Sequence, residues 1–459
     1  MQFYDRTKEI EELSRIRELA FTDHSRMTVI TGRRRIGKTS LIMKANEKTP
    51  TAYLFVGRKD EAAICGEFTE IISKALNAFI PEGIHRFQVL FQYLMELATR
   101  QPFTLVIDEF QEFLNINPSV YHDMQHLWDQ YKDRSRMHLI LSGSVYSFMQ
   151  RNIPPSPQGE VPLRIFQDSQ EPLFGRADTI IKISAFDLAT IKKILKDHRP
   201  RYSNDELLAL YAFTGGIPKY IEMFCDNLKQ NPDGLSISGM INFMIRDNSP
   251  FIEEGKYLLI EEFGKNYGVY FSILDAVAGG RNTQPEIAAA LGDKSIGGQI
   301  KRLIEDYNIL VRHRPILAAE GTQAVRYEIA DNFLQFWFNY LDRYRSMIEI
   351  KNFTGLRSII KADYTTYSGR ILERYFRQQL AESQNYRDIG SWWESRGDNQ
   401  NEIDIVALEP EKNRALAVEV KRQRGKYKPT ILAARIERLK EKVLPGYEIE
   451  GRCLSLEDM

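Results

Sequence analysis

The sequence predicts a multidomain α/β protein that opens on a parallel sheet. Three observations carry that reading. Short apolar runs of strand type (MTVI, YLFV, TLVID and HLILSGS) alternate with helical stretches over residues 27 to 144; this alternation marks a parallel sheet covered on both faces. A glycine-rich turn, GRRRIGKT, lies between the first strand and the helix after it. At the far end, NEIDIVALEPEKNRALAVEVKR reads as a hairpin with charged residues set into apolar strands.

The elements follow in order. Ile10, Leu13, Ile16 and Leu19 recur at helical spacing, predicting a helix over 7–20. Strands are expected at 27–30, 53–56, 104–108 and 138–144, with helices opening at SLIMKA and filling 60–79 and 86–99. Residues 151–172 hold five prolines in 22 residues, which predicts a loop, either a lid or partner loop or a plain surface insertion. From 184 to about 255 the signal is helical, with TGGIPKYI as a turn and helix start.

Size and composition set limits. The 459 residues suffice for about three to four domains. Lys plus Arg and Asp plus Glu number 62 each, so any basic surface must be local. Cys65, Cys225 and Cys453 are scattered, with no CxxC or Cys/His cluster, which argues against zinc and for a reducing, cytoplasmic setting. The charged start MQFYDRTKEIEEL is not a signal peptide, and no apolar run approaches the ~18 residues of a membrane helix, so no membrane partner is expected.

The glycine-rich turn has the pattern G-x-x-x-x-G-K-[ST]. Gly32 and Gly37 let the backbone of Arg33, Arg34, Arg35 and Ile36 curl round a phosphate. The following helix, through Lys38, Thr39 and Ser40, points its positive end at the anion. Lys38 can reach the β- and γ-phosphates, and the Thr39 hydroxyl can ligate Mg²⁺. TLVIDE adds two acids at a strand end: Asp108 suits a Mg²⁺ ligand through water, and Glu109 suits activation of the attacking water. ATP and Mg²⁺ are the expected cofactors.

Residues 266–345 read as three helices and two strands. Ile287 and Leu291 share a face of the second helix, and Ile296, Ile300, Leu303 and Ile304 form a stripe on the third. The other face offers Lys294, Gln299, Lys301 and Arg302, and the strands offer Arg312, His313 and Arg314. That set suits contact with DNA phosphates; the same arrangement also serves as a packing module. DNFLQFWFNYL, with five aromatics, reads as a buried connecting helix, or as a base-stacking surface.

In the C-terminal hairpin, a loop at EPEKNR (409–414) sets Leu408 against Ala415 and Asp404 against Glu419, with Lys421 on the same face. Both faces are largely apolar, so the hairpin is covered. Two opposed acids there either bind a metal such as Mg²⁺ or pair with cations. RQRGKYK, just beyond, is a phosphate-backbone track or a solvated face.

Taken together, these motifs resemble the archaeal-type ATPase family of the AAA+/STAND group of P-loop ATPases, with a C-terminal PD-(D/E)xK nuclease-like domain. FYDRTKEIEEL is similar to that family's N-terminal box. HLILSGS is similar to its sensor strand, which implies Ser142 or Ser144 as the sensor. PLFGRAD implies Arg176 as a γ-phosphate sensor or arginine finger, in cis or in trans. TGGIPKYI implies a helical-lid motif with Pro218 near the nucleotide. An Asp, a turn and E-V-K resemble the nuclease motif and imply Asp404, Glu419 and Lys421 as catalytic, with the first two holding metal and Glu373 of SGRILERYFRQQL as the acid added from an earlier helix; WWESRGDNQNEID matches the run-in. The implied domains are a P-loop core (1–183), a helical lid (184–255), a winged helix (256–345) and a restriction-endonuclease-like α/β domain (346–459). The implied function is ATP hydrolysis coupled to action on DNA, with Mg²⁺ at a nuclease-like site. The alternative is a non-cleaving STAND-type switch whose nucleotide state controls binding of a partner protein or DNA.

Overall fold

The computed structural model describes residues 2–144, 173, 175–263, 267–319, 321–394, 401–410 and 413–459. The proline-rich stretch 151–172 and the 395–400 part of the run-in lie outside them. The chain forms two compact units, one of Asp5–Ser184 and one of Ala185–Met459 with the first four residues. The divisions expected at 255/256 and 345/346 therefore fall inside one compact unit.

The first unit is a five-stranded parallel sheet. Its strands are β1 (Arg26–Gly32), β2 (Thr51–Phe55), β3 (Phe103–Asp108), β4 (Met137–Ser144) and β5 (Thr179–Ile183), in the order β2-β3-β4-β1-β5. Every residue of β3 is buried, as its unbroken apolar run requires of a central parallel strand. One face carries Val29, Leu105, Ile107 and Leu139 against Phe68, Phe87, Phe91 and Trp128 from three helices. Helices Thr7–Thr22 and Lys38–Ala45 pack on β1. The reading from sequence passed over β5. TIIKI is too short to stand out by itself, and pairing with β1 is what makes it a strand.

In the second unit, helices cover most of Leu188–Phe263. Ser203 and Glu206 form a reciprocal cap at the start of Asn204–Thr214. Helices Tyr267–Ala278, Gln284–Ala290 and Gly297–Glu305 precede an antiparallel pair, β6 (Leu310–His313) and β7 (Arg326–Ile329). Phe333, Phe336, Trp337, Phe338 and Tyr340 are all buried, so this aromatic stretch is core. A long helix, Phe353–Glu382, leads into β8 (Asp388–Trp393), β9 (Glu402–Leu408), β10 (Arg414–Lys421), helix Pro429–Lys442 and β11 (Glu448–Ser455). This mixed sheet runs β11-β10-β9-β8, with only β10 and β11 parallel. The long helix packs on β8, β9 and β10, and Pro429–Lys442 packs on β9 and β11. No helix among the described residues is long and apolar enough to cross a membrane.

Candidate nucleotide site and a C-terminal acidic cavity

The glycine-rich turn joins the end of β1 to helix Lys38–Ala45. Its two glycines answer different needs. A Cβ on Gly32 would come within 2.9 Å of Ile36 Cγ2 and 3.0 Å of the Ile183 carbonyl on β5, so only glycine fits that close approach. Gly37 has φ 91°, the left-handed region that glycine enters freely, and it caps the helix. Arg35, at φ 65°, takes the same region two residues earlier. Lys38 is buried and lies back along the loop, its Nζ donating to the carbonyls of Gly32 (3.0 Å) and Arg33 (3.3 Å).

The end of β3 brings the acids. Thr39 Oγ1 donates to Asp108 Oδ2 at 3.3 Å. Tyr53, on β2, donates its hydroxyl to the same oxygen. Burial, reinforced by that hydrogen bond, raises the Tyr53 hydroxyl above its ordinary range. Glu109 adopts φ 53°; its backbone N–H donates to Asp108 Oδ1 at 3.0 Å, and its carboxylate accepts from Gln111. Ser142, on β4, pairs in register with Asp108 on one side and Ile30 on the other. Its hydroxyl is buried and meets no partner among the described residues. A cradle closed to any Cβ at Gly32, with an orphaned hydroxyl beside Asp108, fits a nucleotide with its magnesium. Tyr53 escaped the sequence reading, since a lone tyrosine on a strand carries no signal until the neighbouring strand is known.

The remaining expected residues have definite places. Ser40 is exposed on the first turn of its helix. Ser144 ends β4, and its side chain lies outside the described residues. Arg176 makes a bidentate pair with Asp129, with Nε to Oδ1 at 3.0 Å and Nη2 to Oδ2 at 2.7 Å. Arg6 Nη2 donates to the Ser184 carbonyl at 2.5 Å, fixing the N-terminal box to the chain just after β5. Pro218 occupies the first turn of helix Pro218–Asn227 in the second unit, after Gly215 and Gly216, both at positive φ.

In the C-terminal hairpin the register is Leu408↔Ala415, Ala407↔Leu416, Val406↔Ala417 and Ile405↔Val418, as counted from the turn. β10 resumes at Arg414, one residue inside the expected loop. The next pair in that register, Asp404 and Glu419, leaves the ladder. Asp404 Oδ2 instead accepts the Val420 backbone N–H at 2.7 Å. Glu419 is held by two cations, Lys421 Nζ at 2.7 Å and Arg435 Nη1 at 2.9 Å. Arg435, on Pro429–Lys442, has no counterpart in the sequence reading. Among the described residues no three of His, Cys, Asp and Glu converge on a metal-sized gap.

Glu373, on the long helix, and Asp404 line one cavity of about 540 Å³. Burial, then the neighbouring Asp404, pushes the Glu373 carboxyl above the ordinary range. Burial, then Glu419, does the same to Asp404. Of the basic run after Lys421, Arg422 is spent on Asp205 and Ser368, and Arg424 on Glu457 and Asp458. In the three-helix segment Lys301 pairs with Glu305, Arg302 reaches Tyr270, and His313 lies 3.0 Å from Glu328.

Residues 3–224 match the family described as an ATPase domain predominantly from Archaea, and residues 337–431 match one described as archaeal and bacterial proteins of unknown function. An uncharacterized protein of Methanocaldococcus jannaschii is 31% identical over 426 residues, covering 90% of this chain and 86% of that protein. Among solved structures, the Walker-type ATPase PABY2304 of Pyrococcus abyssi shares the fold, with TM-score 0.53 and 19% identity over 73% of this chain and 96% of that one. Cdc6p from Pyrobaculum aerophilum gives TM-score 0.37 and 15% identity over 74% of this chain and 94% of that one. With a relative of that identity along nearly its whole length, the chain belongs to the archaeal-type family of P-loop ATPase-domain proteins that carry this C-terminal domain.

Proposed function

We propose that the protein binds and hydrolyses MgATP in its first unit and uses the second to act on DNA. The observation that carries the first half is the meeting of Lys38, Thr39 and Asp108 at the ends of β1 and β3. Lys38, resting on the Gly32 and Arg33 carbonyls, has its ammonium placed to exchange them for phosphate oxygens. Thr39 and Asp108 form the Mg²⁺-holding pair, and the bound ion would neutralise charge developing on the phosphates. Glu109 orients the attacking water, Ser142 or Ser144 reads the γ-phosphate, and Arg176 answers to it once released from Asp129. Pro218 belongs to the lid motif that responds to nucleotide.

In the second unit, residues 256–345 act as a winged helix, and 346–459 act as a Mg²⁺-dependent nuclease-like domain with Glu373, Asp404, Glu419 and Lys421 as its site. The shared cavity of Glu373 and Asp404 supports that reading. A second reading, a non-cleaving nucleotide switch controlling a partner protein or DNA, is favoured by one observation: both oxygens of Glu419 are held by Lys421 and Arg435.

One paired experiment tests these readings. ATP turnover, and cleavage of single- and double-stranded DNA with Mg²⁺ or Mn²⁺, are measured for wild type, Lys38→Ala and Asp404→Ala. Turnover abolished by Lys38→Ala and cleavage abolished by Asp404→Ala are expected. Turnover that survives Lys38→Ala would sink the nucleotide assignment. Absence of cleavage by wild type would leave the switch.

A further inference from the structure

We propose that Gln111 is a positioning residue for ATP hydrolysis: its side-chain amide holds the Glu109 carboxylate in the pose that activates the attacking water. This rests on the reading of Glu109 given above, and adds what sets the direction of that carboxylate.

Beyond Asp108 the chain turns sharply. Glu109 takes φ 53° and ψ 38°, the left-handed region that a residue with a Cβ enters at a cost. Its backbone is tied on both sides. The N–H donates to Asp108 Oδ1 at 3.0 Å, and the carbonyl accepts from the Glu112 N–H at 2.9 Å. The short turn that follows, Phe110–Glu112, is anchored in the core. Phe110 and Phe113 are fully buried, with ring centroids 5.9 Å apart, and the Tyr121 hydroxyl donates to the Phe110 carbonyl at 3.2 Å. Gln111 therefore rides on a fixed turn, as a group that must aim another has to.

The Glu109 side chain depends on that turn. Among the described residues its carboxylate accepts from one donor, Gln111 Nε2. A carboxylate offers only acceptors, so the amide must turn its nitrogen to it. That choice fixes the other end. Gln111 Oε1 is left buried and meets no partner among the described residues, and the whole residue is only 6% exposed. An amide buried for structure alone would be bonded at both ends, because an unmet buried carbonyl costs free energy. Here the side-chain bond that is made is the one to the acid.

The chemistry needs this restraint. A glutamate side chain has several free torsions, and a base works only when held within hydrogen-bond reach of the proton it takes. The turn also packs against β4, the strand that sets Ser142 beside Asp108. In the step itself the water oxygen bonds to the γ-phosphorus and its proton passes to Glu109. The bond from that phosphorus to the β–γ bridging oxygen breaks, leaving ADP and phosphate. Gln111 exchanges no proton and acts through Glu109.

The test is a double-mutant cycle on ATP turnover, with enzyme concentrations high enough to read residual rates. Gln111→Met keeps the length of the side chain and removes the donor. It should lower kcat by about tenfold or more, part of the roughly 100- to 10,000-fold that a positioned base supplies, with KM and the binding of mant-ADP unchanged. Gln111→Glu sets a like charge beside Glu109 and should lose at least as much; it repeats the test should Gln111→Met melt early. Glu109→Gln should be nearly inactive. Adding Gln111→Met to it should cost little more, since a residue that acts through another is not lost twice. A full or raised kcat in a Gln111 variant with a wild-type melting curve would overturn the proposal. So would a loss that lies in KM or mant-ADP binding, or a Gln111→Met cost as large in Glu109→Gln as in wild type. Wild-type turnover by Glu109→Gln is a separate failure: it removes the reading of Glu109 itself, and this inference with it.

Discussion

The Thr39 hydroxyl and the Asp108 carboxylate, 69 residues apart in the chain, meet at 3.3 Å across the ends of β1 and β3. Neither strand pairs with the other; β4 lies between them. The contact therefore depends on the sheet order and registers the whole central sheet. Replacing Thr39 with Ala or Asp108 with Asn should raise the Mg²⁺ needed for half-maximal ATP turnover by about 10- to 100-fold, the cost typical of losing a metal-site group. Thr39→Ser should retain most activity. A Mg²⁺ titration of turnover decides it.

Tyr53 donates to the Asp108 oxygen that also accepts from Thr39. In the proposed site it would act through Asp108, as a positioning residue. Tyr53→Phe keeps the ring and removes the donor. The expected result is a rise of about tenfold in the Mg²⁺ requirement with little change in nucleotide binding measured without metal. Equal effects on both would mark Tyr53 as structural packing only.

Arg435 closes the Glu419 site from Pro429–Lys442, and both partners are largely covered, at 18% and 13% exposure. Arg435→Ala leaves that carboxylate with Lys421 alone. A stability loss of about 1–3 kcal/mol follows, since an incompletely paired buried charge keeps its desolvation cost. Arg435→Lys should lose less. Urea midpoints of the two variants against wild type measure the difference.

Glu373 gives the second unit a pH dependence. Its carboxyl is raised in the folded state, so the folded chain holds the proton more tightly than the unfolded chain. Stability must then fall as pH rises from the ordinary glutamate value, about 4.3, through the raised one. Glu373→Gln cannot ionise and should flatten that fall; Asp404, Glu382 and Asp342, which are raised as well, contribute to the slope left over. Thermal melts of both proteins across that range test the sign. An identical slope in the two would contradict the burial of Glu373.

Much of this was legible from residue order. The phosphate turn declares itself because glycine and lysine must recur at fixed spacing in a loop between a strand and a helix. The hairpin register could be counted from its turn, because side chains alternate with a period of two. The charges at Asp404, Glu419 and Lys421 stood out because acids rarely sit in apolar strands.

What residue order left open depends on distant partners. β5 exists as a strand because β1 offers it an edge. Arg435 reaches Glu419 from a helix beyond the hairpin, and Tyr53 reaches Asp108 from a neighbouring strand. The cavity that gathers Arg343, Arg370, Arg377, Glu373 and Asp404 draws on three separate segments. The sequence by itself determined the local elements and the phosphate-binding loop, because short-range spacing and backbone freedom specify them. Which charges are paired was decided only by the tertiary structure, because Coulomb and desolvation energies depend on distance in space and on burial.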